Sequence, residues 1–70
     1  MSIRDLKAEI TRNDMSIPHL ANKIGVSKKT LYSRINGETE FSQSEIVKIS
    51  NCLNLSKDKI FLIFFDNQVS

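Results

Sequence analysis

Residues 16–37 read SIPHLANKIGVSKKTLYSRING, and this stretch decides the fold. Ser16 is a good helix N-cap. Pro18 falls in the first turn that follows, where its missing N–H costs nothing. Leu20, Ala21 and Ile24 recur at helical spacing and face inward. Gly25 can take the left-handed conformation that stops a helix. Ser27 then caps a second helix over 28–36. Leu31 and Ile35 form an i, i+4 pair on its buried side. Lys28, Lys29, Tyr32, Ser33 and Asn36 are left on the opposite side, and Gly37 ends the helix. The stretch is two short helices joined by a tight turn.

Working outward, apolar residues keep spacings of three and four, so the chain should be all-α. Ser2 can cap a helix running to about Asn13, with Ile3, Leu6 and Ile10 as its stripe and Arg4, Lys7 and Glu9 toward water. Asn13 and Asp14 favour a turn. After Gly37, GETEF is a loop in which Phe41 anchors to the core. Ser42 and Glu45 in S-Q-S-E form a capping box that starts a fourth helix. Ile46, Ile49 and Leu53 are its stripe and Asn54 its end. Ser56 caps a last segment, KDKIFLIFF. Its apolar run has no readable period, so a strand at its end competes with a helix over 57–63, and the helix is favoured. Ile60, Phe61 and Phe64 would fill the core. Leu62, Ile63 and Phe65 would lie outward and, with Ile17, form a candidate protein interface. Residues 1–66 read as one domain and 67–70 as a frayed tail.

Composition narrows the function classes. Seventy residues make one domain, and a chain of that size buries only roughly 60% of its unfolded surface. The single cysteine, Cys52, excludes an internal disulfide and any Cys-based zinc cluster, and reads as a small buried hydrophobe. His19 has no second ligand nearby, so no metal is expected. No secretory signal is visible in MSIRDLKAEI. The longest apolar run, IFLIFF, has six residues against the roughly 20 needed to span a bilayer. A soluble cytoplasmic protein is expected, with no membrane partner, cofactor or small-molecule ligand. One His and one Cys without a supporting motif or Gly-rich phosphate loop argue against an enzyme. Net charge is +2, but residues 1–37 carry seven basic and three acidic side chains while 38–70 carry three and five. A positive half beside a negative half suits a polyanion on one face.

That polyanion is double-stranded DNA if 16–37 is a helix-turn-helix, whose second helix enters the major groove. Lys28 and Lys29 can donate to guanine O6 and N7 or to phosphates. Thr30 and Ser33 are short donors and acceptors. Tyr32 offers a ring for a thymine methyl and a hydroxyl. The helix starts at Ser16 and Ser27 present free N–H groups and positive dipole ends. One such module reads only a few base pairs. A useful operator affinity therefore calls for a dimer on half-sites about 34–36 Å apart, with IFLIFF as the candidate interface.

L-A, I-G-V-S and the closing N-G make this stretch resemble the helix-turn-helix of the Cro/repressor superfamily. The resemblance covers most of the chain. It implies a compact four- to five-helix lambda-repressor-like DNA-binding domain. It implies base contacts from Lys28, Lys29 and Ser33, and phosphate contacts near Ser16, Ile17 and Asn36. The I-F-F ending looks similar to small Cro-position regulators of temperate phages, acting at the bacterial nucleoid in a lysogeny switch. Two departures stand out. The position of Ile17 is commonly polar in that family, often glutamine. The loop after the second helix often follows a phosphate strand, yet here it carries Glu38 and Glu40. A carboxylate about 4 Å from a phosphate costs about 1 kcal/mol even in water. Both departures predict weak DNA affinity or a second role, an antirepressor or modulator that holds a partner repressor.

Overall fold

The structure, a computed structural model, describes residues 1–65. Asp66 and the expected tail at 67–70 lie outside the described residues. Five helices follow one another: α1 (Ile3–Arg12), α2 (Ile17–Ile24), α3 (Lys28–Ile35), α4 (Gln43–Cys52) and α5 (Lys57–Phe64). There is no strand among the described residues, so the apolar end of the chain resolves as helix. No described helix is long and apolar enough to cross a membrane.

Every helix opens on a serine. The side chains of Ser2, Ser16, Ser27, Ser42 and Ser56 each accept the backbone N–H three residues on. Such caps contribute about 1 kcal/mol apiece. Four helices close with their last carbonyls bonded through a left-handed residue. At the α2–α3 turn, Gly25 has φ of +81°, and the Val26 N–H donates to the Ala21 carbonyl at 3.0 Å. The other three left-handed residues are Asp14, Gly37 and Asn54.

α2 packs on α3 and α4, while α1 packs on α5. The core gathers one stripe from each helix: Leu6 and Ile10; Leu20, Ala21 and Ile24; Leu31 and Ile35; Ile49 and Leu53; Ile63 and Phe64. Phe41 anchors the α3–α4 loop, its ring 5.4 Å from that of Phe64 in an edge-on arrangement. Ile17 is not an exposed residue. It is half-buried and packed against the core, beside Lys7, Ile10 and Thr11 of α1. Cys52 is likewise only half-buried.

Two expectations are corrected. The sequence reading puts Phe61 inside and Ile63 outward, but Phe61 is 64% exposed and Ile63 is fully buried. The Ser2 N–H donates to the Ile63 carbonyl at 2.8 Å, so α1 sets the rotation of α5 and turns Ile63 inward. Ile63 therefore leaves the candidate interface, and Phe61 joins Leu62 and Phe65 on the exposed side. Glu9 also faces inward, only 6% exposed. Its carboxylate is 3.0 Å from Lys59 Nζ on α5, with Arg12 farther off at 3.9 Å. A carboxylate withdrawn from water needs such a partner, and the pair ties α1 to α5.

Replacing Lys59 by Met keeps the aliphatic stem but leaves Glu9 with only the more distant Arg12, at 3.9 Å. It should lower the unfolding free energy by about 1–2 kcal/mol, read by urea titration. Lys57→Met, an exposed site in the same helix turn, should change it little. Equal effects from both would contradict a structural role for the Glu9–Lys59 pair.

Candidate nucleic-acid interface

The outer face of α3 is built from its N-cap upward. Ser27 Oγ accepts the Thr30 N–H at 3.0 Å and donates to Thr30 Oγ1 at 2.9 Å. This locks the first turn and leaves Thr30 half-buried. Lys28 and Lys29 are exposed and enter no ion pair among the described residues. Lysines in a first turn oppose the helix dipole, so nothing within the fold accounts for their charge. Tyr32 lies one turn beyond Lys28 and Asn36 one turn beyond Tyr32. Both are exposed, and together they form one row. Leu31 and Ile35, wholly buried, hold the helix from behind.

The start of α2 presents a second surface. Ser16 Oγ accepts the His19 N–H at 3.2 Å, and both residues are exposed. Ile17 lines a shallow depression with Lys7, Thr11, Met15 and Ser16. Its side chain offers packing there and no hydrogen bond.

The far end of α3 departs from the sequence reading. Ser33 is half-buried, and its hydroxyl donates to Glu38 Oε1 at 3.3 Å. With that proton committed, Thr39 becomes the donor in the 3.2 Å contact between Thr39 Oγ1 and Ser33 Oγ. Arg34 is drawn in as well. Its Nε donates to Glu45 Oε1 at 2.9 Å, its Nη2 to Glu45 Oε2 at 3.2 Å and its Nη1 to Thr39 Oγ1 at 2.7 Å. Glu45 Oε1 also accepts the Ser42 N–H at 2.9 Å. One arginine thus clamps the end of α3, the loop and the start of α4.

The hydrogen bond from Arg34 holds the Glu45 carboxyl below its ordinary range. The Ser42 N–H adds to this, and partial burial opposes it. Arg34 is raised above its ordinary value, chiefly by the same bond. Sequence reasoning identified Glu45 only as a capping residue. The capping box itself is present, but the partner eleven positions back carried no local signal.

A helix-turn-helix family model matches residues 3–60, which spans α1 to the first half of α5. No curated protein and no solved structure gave a match. The chain belongs to the helix-turn-helix family of the Cro/C1 type. It is in general terms a DNA-binding transcription regulator.

Glu45→Gln keeps a side chain able to complete the capping box while removing the charge that Arg34 binds. Because the folded carboxyl is depressed, the charge's contribution is complete above the ordinary carboxylate value of about 4.3. It is lost as pH falls through the lower folded value. The stability difference between native protein and variant should therefore hold steady from about pH 7 to 5 and shrink below about pH 4, followed by denaturant titration at each pH. A difference independent of pH would contradict the clamp.

Proposed function

We propose that this helix-turn-helix protein is a sequence-specific regulator of the Cro/repressor type. It binds a double-stranded DNA operator with α3 in the major groove, and it acts by binding rather than catalysis. The observation that carries this reading is the pair Lys28 and Lys29: exposed, in no ion pair among the described residues, and in the first turn of a recognition helix, the part that meets base edges. Ser27, Thr30, Tyr32 and Asn36 complete the reading face. The α2 start at Ser16 and Ile17 meets the neighbouring phosphate strand through backbone N–H groups and the helix dipole.

Phe61 and Leu62 on α5 and Phe65 at its C-cap stand exposed, 64%, 40% and 46% respectively. Pairing this face with that of a second copy would bring two reading heads onto adjacent half-sites. Such a protein would work in the bacterial cytoplasm, at the nucleoid, in a phage lysogeny switch. The same exposed face, together with the acidic Glu38 and Glu40 loop, supports a second role as an antirepressor that holds a partner repressor.

Retardation of its own promoter DNA tests the primary reading. Lys28→Ala with Lys29→Ala should abolish the shift at moderate salt. At low salt it should flatten the slope of log K against log salt, by about 1 for each of the two that sits against a phosphate. Phe61→Glu should leave α3 untouched, lower operator affinity and give a monomer in sedimentation. If the native protein retards no promoter DNA at low salt, operator binding is wrong. If it then still captures a repressor of the same Cro/C1 type, the antirepressor role takes its place.

A further inference from the structure

The geometry points to Glu38 as a base-reading residue that gives α3 a chemical polarity: a donor end at Lys29 and an acceptor end at Glu38. The inference rests on the DNA-binding reading above. Lys29 and Ser33 are neighbours one turn apart on the same face. Glu38 is held to Ser33 twice, through its N–H to the Ser33 carbonyl at 3.0 Å and through its carboxylate to the Ser33 hydroxyl at 3.3 Å. The acid is thus folded back against the recognition helix, and Glu38 remains exposed.

Ser33 gives its only hydroxyl proton to Glu38 and its oxygen is engaged by Thr39, so the exposed Glu38 carboxylate supplies the acceptors at this end of α3. A phosphate there would meet lone pairs and a like charge. An exocyclic amino group, cytosine N4 or adenine N6, would meet the acceptors it needs. Lys29, with donors only, suits guanine O6 and N7. One turn of helix is about 5.4 Å, which spans one to two base-pair steps at about 3.4 Å each. The half-site this row selects carries a guanine and, one or two steps on, an amino-bearing base.

Selection of bound duplexes from a randomised half-site library tests this, with native protein, Glu38→Ala, Ser33→Ala and Lys29→Ala compared side by side. The native protein should enrich the guanine and the amino-bearing base. Glu38→Ala should erase roughly fivefold or more of the preference at the amino position and leave the guanine preference intact. Ser33→Ala, which frees the carboxylate from its tether, should weaken that same position. Lys29→Ala should do the converse. Unchanged preferences in Glu38→Ala would overturn the inference. So would a uniform rise in affinity for every sequence, which would place the carboxylate beside phosphates instead. If the native protein enriches no duplex at all, the DNA-binding reading falls, and this one with it.

Discussion

No described helix exceeds ten residues, and helices that short do not hold themselves in water. Each exists because it is capped by a serine and docked on a common core. α2 is the hub of that docking. Leu20, Ala21 and Ile24 are all but fully buried, and α3 and α4 both pack against them. The recognition helix inherits its rigidity from this arrangement. Leu31 and Ile35 are wholly buried, which leaves Lys28, Lys29, Tyr32 and Asn36 facing outward.

Charge follows the same division of labour. Glu9 with Lys59 joins α1 to α5, and Arg34 with Glu45 joins α3 to α4. These four groups are committed to the frame. Lys28 and Lys29 are not, and the dipole of their own helix disfavours them. A chain of small net charge can thus present a locally basic reading head, because several of its cations and anions cancel elsewhere. Glu38, tethered to Ser33, bounds that head at its far end.

The parts legible in the sequence were those with local signals at fixed offsets. Serine caps, the Ser42–Glu45 box and the stops at Gly25 and Gly37 placed the helices to within a residue or two. The outward row of Lys28, Lys29, Tyr32 and Asn36 followed from the phase of Leu31 and Ile35. What stayed illegible depended on distant partners. Six consecutive apolar residues have no phase of their own, so the inward turn of Ile63 and outward turn of Phe61 came only from α1 packing. Glu9 flanks the Leu6–Ile10 stripe, and nothing nearby announces a lysine fifty positions on. Ser33 reads as a free hydroxyl until the loop folds Glu38 back onto it.

The central claim is that the outer face of α3 meets DNA. Backbone amide chemical shifts, followed while mixed-sequence duplex is added at low salt, test it most directly, since phosphate contacts alone suffice for binding there. The account predicts the largest changes at Ser16, Ile17 and from Ser27 to Asn36. Saturation with duplex that leaves those amides unmoved would contradict it.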